Sequence, residues 1–289
     1  MNYKKWLQNN TSDLSGKLVA VTGTTGGIGK DLCRHLASLG ASLVLVDRNR
    51  TRSEAFAREI ESEYSVPVSC VCVDLSDIQS VKRGTDELLA FPIDVFIHNA
   101  GAYSIPRETL DIGYDNVFTI NFISPYYIIK RLVPTLKERG GRVVIVGSIA
   151  HNYSKTDPAD VDFSSRKAAS KVYGNAKRYL MYATATLLEK EGIACAITHP
   201  GISFTGITAH YPKLIYAIIK YPMKIIFMKP KKASLSVVKG VFCDTGVGMW
   251  LGPRIFDVWG LPSLKPLKTA KQDEIDRIFA TAEKICEGL

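Results

Sequence analysis

Short apolar runs alternate with longer amphipathic ones along most of this chain. KLVAVTG (17–23), ASLVLVD (41–47), VPVSCVCVD (66–74), IDVFIHNAG (93–101), GRVVIVGS (141–148) and IACAITHPG (193–201) are nearly continuous apolar stretches. Such runs predict strands buried on both faces. Between them, residues 27–40, 51–64, 76–90, 113–140 and 164–192 carry the mixed pattern of helices. Gly40 closes the first of these, and Ser76 is placed to cap the third. Pro125 and Pro134 would bend the long helix 113–140, or Pro134 would shorten it. A polar loop fills 149–164, and 271–289 forms a last helix docked on the rest. Strands alternating with helices imply an α/β fold, a doubly wound parallel sheet with right-handed crossovers. No linker or repeat divides the chain, so 1–289 is expected to be one domain: a core over 14–200, a covering segment over 201–243 and an extension over 244–289.

Composition narrows the picture. At 289 residues and 46% hydrophobic content the chain can bury a full core. Its six cysteines are scattered without a C-x-x-C, and its five histidines are dispersed. Reduced, mostly buried thiols are therefore expected, and no metal site. Neither a signal peptide nor an uncharged apolar run of ~18 residues is present, so the expected location is cytoplasmic. The net charge of +9 is uneven: residues 192–243 hold seven lysines and no acid. That window contains no arginine and is rich in Ile and Met, which argues against a nucleic-acid surface.

The first strand runs into TGTTGGIGK, with glycines at 23, 26, 27 and 29 directly before a helix. Glycines let the backbone turn tightly and approach a pyrophosphate, while the helix N-terminus offers free N–H groups. This strand–turn–helix context makes the loop, including Thr25 and Ile28, a dinucleotide cradle rather than a plain turn. A second candidate is the pair Tyr173 and Lys177 in KVYGNAK. Residues four apart share a helix face. The same Y-x-x-x-K spacing recurs at Tyr126/Lys130 and Tyr216/Lys220, so spacing alone does not choose among them.

Taken together, the motifs resemble the short-chain dehydrogenase/reductase family, most closely its retinol-dehydrogenase-like branch. TGTTGGIG matches the family loop through Gly23, Gly27 and Gly29; NAG (Asn99, Ala100, Gly101) follows the fourth strand; Asn121 lies in the long helix. Ser148 ends the fifth strand, and HPG, with Pro200 and Gly201, follows the sixth. The resemblance spans nearly the whole chain and implies a Rossmann fold and an oxidoreductase using NAD or NADP. It selects Tyr173, because only that tyrosine lies after Ser148 and before the sixth strand. A phenol of pKa about 10 sheds its proton reluctantly near neutrality, and a nearby lysine cation or oxidised nicotinamide favours phenolate. The resemblance implies that Tyr173 exchanges the proton, Lys177 also bonds the cofactor ribose, Ser148 holds the substrate oxygen and Asn121 positions a water. It further implies cofactor contacts at Asp74, Leu75, Ile202 and Thr205, and a homodimer or homotetramer built through the two long helices.

Asp47 and Arg48 end the second strand. An acid there favours NAD and an arginine favours NADP; with the acid first, the balance falls on NAD. The basic, apolar segment beyond the sixth strand reads in three ways: a lid over a lipophilic steroid, retinoid or long-chain substrate, a peripheral membrane contact through 207–232, or plain core packing with solvated lysines. Two further function classes remain: a nucleotide-sugar epimerase or dehydratase, whose glycine loop also fits, and a non-catalytic dinucleotide-binding protein. The chain is short for the first, and the retained Ser, Tyr, Lys and Asn argue against the second.

Overall fold

The computed structural model describes residues 3–201, 228–267 and 271–289. Eight strands form one sheet in the order β3-β2-β1-β4-β5-β6-β7-β8. The strands are β1 (Leu18–Thr22), β2 (Ser42–Asp47), β3 (Val68–Cys72), β4 (Val95–His98), β5 (Arg142–Val146), β6 (Ala194–Thr198), β7 (Met249–Ile255) and β8 (Trp259–Pro266). All neighbours pair in parallel except β7 with β8, which form an antiparallel hairpin. The described helices are α1 (Tyr3–Asn10), α2 (Gly27–Ser38), α3 (Arg50–Tyr64), α4 (Ile78–Leu89), α5 (Asn116–Phe118), α6 (Ser124–Glu138), α7 (Ala169–Lys190), α8 (Pro230–Gly240) and α9 (Gln272–Glu287).

The apolar strands read as two-sided because they are. Val44, Phe96, Ile145 and Ile197 enter one core, with residues of α4, α6, α7 and α9. Their neighbours Leu45, Ile97, Val144 and Ala196 enter the other, with α1, α2, α3 and α8. This is the doubly wound, single-domain α/β fold. Strand order reverses between β1 and β4, where Val19 pairs with Val95 and Val21 with Ile97. A crevice at the carboxyl ends of strands on either side of such a reversal is where ligands bind on these sheets.

Several details depart from the sequence reading. Asp77, not Ser76, caps α4, accepting from Gln79 N at 2.9 Å. Asp115 caps the long helix by accepting from Val117 N at 2.9 Å, so helix starts at Asn116 rather than residue 113. The chain then passes through a π turn, Thr119–Ile123, and continues unbroken past Pro125 and Pro134 to Glu138. Pro134 lies on the exposed face, and the helix does not end there. Helix α7 starts at Ala169 rather than residue 164, because Ser164, Ser165 and Arg166 fold back onto acids of the preceding loop; Arg166 reaches Asp157 at 2.7 Å. The hairpin β7–β8 and helices α1 and α8 were not foreseen. The docked C-terminal helix was: α9 packs on α7 and reaches α6.

Candidate active site

At the reversal point a cavity of about 520 Å³ opens at the carboxyl ends of the strands. Every cofactor residue expected from the sequence and lying within the described chain lines it, except Thr25. Ser148, Tyr173 and Lys177 line it too, and Asn121 does not. Ile202, Thr205, the pair Tyr216/Lys220, most of the covering segment and most of 207–232 lie outside the described residues. Sequence reasoning missed Tyr103, Ile105, Ile120 and His199 in the lining. They fall in loops and turns without a periodic signal.

The floor is the glycine loop. A Cβ on Gly29 would stand 2.1 Å from the Gly23 carbonyl oxygen, and one on Gly23 would stand 2.8 Å from the Ala100 Cα. Gly23 also has φ +72°, in the left-handed region that glycine tolerates. Side chains are thus excluded where the backbone closes up, and α2 starts at Gly27 with Gly26 as an N-cap that offers no side-chain bond. Its free N–H groups and positive dipole end suit a pyrophosphate.

NAG clamps this loop from β4. The Thr22 hydroxyl accepts from Asn99 N and Ala100 N, both at 3.0 Å. Its own proton then goes to His98 Nδ1 at 3.1 Å, which leaves the hydrogen on His98 Nε2. The Asn99 amide donates to the carbonyls of Thr22 and Gly23 at 3.1 and 3.0 Å. Asn121, in the π turn, is fully buried; its Oδ1 accepts from Ala102 N at 3.2 Å while its amide donates to the carbonyls of Ala102 and Val117. It fixes the turn after Asn99 rather than facing the cavity.

Asp47 also differs from expectation. Its carboxylate is buried and turned into the glycine loop, accepting from the Thr24 hydroxyl, from Thr24 N at 3.2 Å and from Thr25 Oγ1 at 3.2 Å. Burial raises its pKa, partly offset by these threonine bonds. Arg48 is exposed and lines the same cavity. Asp74 lines it as well, but its Oδ1 already accepts from Ser76 N and Oγ at 2.9 and 2.6 Å.

At the far end, α7 presents Tyr173 and Lys177 on one face. The Tyr173 ring packs edge-on against Tyr103 at 5.2 Å, and Lys177 Nζ lies 5.8 Å from the Tyr173 ring centre. Burial pushes the Tyr173 phenol up to about 12, opposed by the Ser148 hydroxyl beside it. Lys177 is 2% exposed, donates to the Val146 carbonyl at 3.0 Å, and burial pushes it down to about 7. Between that value and the ordinary lysine value of 10.5, the unfolded chain holds the extra proton, so this lysine makes stability rise with pH. Its contribution is complete above 10.5 and lost as pH falls through about 7. Accordingly, Lys177→Met should raise the urea midpoint of the dinucleotide-free protein more at pH 6 than at pH 10, measured side by side.

The rival pair at Tyr126 and Lys130 has a different job. Tyr126 is 1% exposed and donates to Glu283 at 2.6 Å; Lys130 meets the same carboxylate at 3.0 Å. Both tie α6 to α9, and neither lines the cavity.

Residues 17–213 match the model of the short chain dehydrogenase family. The chain belongs to that family. This short-chain dehydrogenase is 30% identical over 202 residues to mouse retinol dehydrogenase 12, covering 68% of this chain and 64% of that relative's length. It is 26% identical over 277 residues to mouse polyprenol dehydrogenase, covering 91% of this chain and 81% of the relative. Among solved structures it resembles an alcohol dehydrogenase from Thermococcus sibiricus complexed with 5-hydroxy-NADP, with a TM-score of 0.63 at 21% identity over 89% of this chain and 99% of that one. That last likeness speaks to the fold. The chain spans 64% of the length of that retinol dehydrogenase and 65% of the length of a chloroplastic short-chain dehydrogenase of Brassica napus.

Proposed function

We propose that this short-chain dehydrogenase interconverts a lipophilic alcohol and its aldehyde or ketone, with Tyr173 exchanging the proton at the substrate oxygen. The observation that carries the reading is one cavity with Gly23–Gly29 at one end and Ser148, Tyr173 and Lys177 at the other. The glycine loop and Asn99–Gly101 would hold the dinucleotide, and the cradle that a Cβ would fill supports that fit. When bound, the dinucleotide supplies or accepts the hydride at the substrate carbon. Ser148 orients the substrate oxygen toward the phenol. Lys177 would bond the ribose and, when protonated, would draw the Tyr173 pKa down from its buried value. Asn121 acts through the turn it clamps.

Tyr103, Ile105 and Ile120 give the cavity an apolar wall. That wall, with relatives named for retinol and polyprenol, supports a retinoid, polyprenoid or other long-chain substrate. The test is turnover of lipophilic against small polar alcohols and ketones, followed by nicotinamide absorbance. Faster turnover of the small polar set would overturn the substrate class.

The cofactor reading moves from NAD toward NADP. Asp47 spends its carboxylate on Thr24 and Thr25, so Arg48 is the group at the strand end ready for a 2′-phosphate. Arg48→Ser should raise KM for NADPH about tenfold while leaving KM for NADH within a factor of two. Equal effects on both would return the choice to NAD.

No helix among the described residues is long and apolar enough to cross a membrane. Any self-association through α6 and α7 would use surface that α9 leaves uncovered.

A further inference from the structure

Three tryptophans occur in the chain, and two of them, Trp6 and Trp250, are buried at 5% and 3% exposure. The third, Trp259, is 45% exposed and sits beside the tip of the β7–β8 hairpin. Ile255, Phe256, Leu261 and Leu264 join it at 51%, 86%, 37% and 46% exposure. Of the six large apolar side chains exposed among the described residues, five belong to this one hairpin. Phe256 is the extreme case. It and Asp257 have φ of +49° and +58°, and Val258 N closes the turn on the Ile255 carbonyl at 3.0 Å. Left-handed turn positions favour Asn, Asp or Gly, and a bulky aromatic there is strained. Folding gives no reason to place a phenylalanine at this point, and nothing in the core gains from it.

The surroundings are basic. Arg254, Lys229 and Lys232 are all exposed, and Lys232 Nζ lies 5.9 Å over the Trp259 ring, whereas Lys231 turns to the Tyr3 ring at 4.7 Å. The acid of the turn, Asp257, is already neutralised by Lys265 at 2.8 Å. The hairpin also borders the cavity. A Cβ on Gly201, a lining residue, would meet the Val258 carbonyl and Pro253 at 2.8 and 2.9 Å.

We infer that the β7–β8 hairpin docks the protein on an anionic lipid bilayer, with Ile255, Phe256 and Trp259 dipping into the interface and the lysines meeting headgroups. An apolar tip ringed by cations is the chemistry of an interfacial anchor, and aromatic rings sit well at headgroup depth. The choice of a bilayer over another partner rests on the lipophilic-substrate reading: the cavity would lie beside the phase in which such a substrate is dissolved.

Vesicle binding can be read without turnover, so the two readings fail separately. Phosphatidylcholine vesicles with and without phosphatidylserine are mixed with the full chain, and pelleting is measured together with tryptophan emission. With Trp6 and Trp250 buried, a blue shift reports Trp259. The inference expects a blue shift and co-sedimentation with the phosphatidylserine vesicles, weakened by salt. Phe256→Asn suits the left-handed turn and should keep the thermal midpoint while lowering vesicle affinity roughly tenfold. Lys229→Glu/Lys232→Glu should remove the preference for phosphatidylserine. The inference is overturned if no vesicle shifts the emission, if Trp259 is shielded from acrylamide in the free protein, or if the hairpin instead mediates a dimer that Phe256→Asn dissociates.

Discussion

Tyr173→Phe should lower kcat by roughly 10²–10⁴-fold, the range that removing one general acid–base group gives. Dinucleotide affinity should stay within about twofold, because the phenol oxygen is at the substrate end and the ring's edge contact with Tyr103 survives the change. The control is Tyr126→Phe. It deletes the bond to Glu283 and should reduce stability by about 1 kcal/mol while leaving kcat unchanged. Steady-state turnover with nicotinamide fluorescence for binding separates the two outcomes. If activity survived Tyr173→Phe and vanished in Tyr126→Phe, the assignment would be reversed.

The contrast between these tyrosines bears on what a sequence can disclose. Y-x-x-x-K is a local pattern, and both pairs obey it, each within one helical stretch. One faces the carboxyl ends of the strands and the other faces α9, a difference set by the order of elements along the chain. That order was legible because buried parallel strands write themselves as continuous apolar runs and glycine loops announce close approach. Side-chain direction was not legible. Asp47 ends β2 where a ribose acceptor belongs, yet Thr24 and Thr25 supply donors that turn it inward. Asn121 sits in the helix as expected, yet the π turn aims it at Ala102. The β7–β8 hairpin went unseen for another reason. GMWLGPRIFDVWGLPSLKP breaks its strands with Gly and Pro, and after the buried Trp250 and Leu251 its large apolar side chains Ile255, Phe256, Trp259, Leu261 and Leu264 are exposed, so neither alternation nor a buried run marks it. Helix α8 was hidden inside a window that read as a covering segment.

The second large effect is expected at Glu274, far from the cavity floor. Arg178, one residue after Lys177, is 2% exposed and pairs with Glu274 of α9 through Nε at 2.7 Å and Nη2 at 2.6 Å. Burial works against the Glu274 charge, but the guanidinium and Thr156 outweigh it and hold the pKa below its usual value. Thr156 Oγ1 donates to the same carboxylate at 3.1 Å, and Arg178 Nη1 donates to the His151 carbonyl at 3.3 Å. His151 in turn bonds the Ser148 carbonyl through Nδ1 at 2.6 Å. The loop that follows Ser148 is therefore pinned to α7 and α9 at two points. Glu274→Ala takes the carboxylate from a buried guanidinium and should destabilise the protein by about 3–5 kcal/mol. It should also lower kcat with little change in dinucleotide affinity, because Ser148 loses its support while the glycine loop does not. Arg178→Met/Glu274→Met separates stability from positioning. Replacing a buried pair by apolar groups is often neutral, so the melting temperature should largely recover. Turnover should not, since Thr156 and the His151 carbonyl still lack their partners. Recovery of kcat together with the melting temperature would mean that the loop holds Ser148 unaided, and that α9 contributes stability alone.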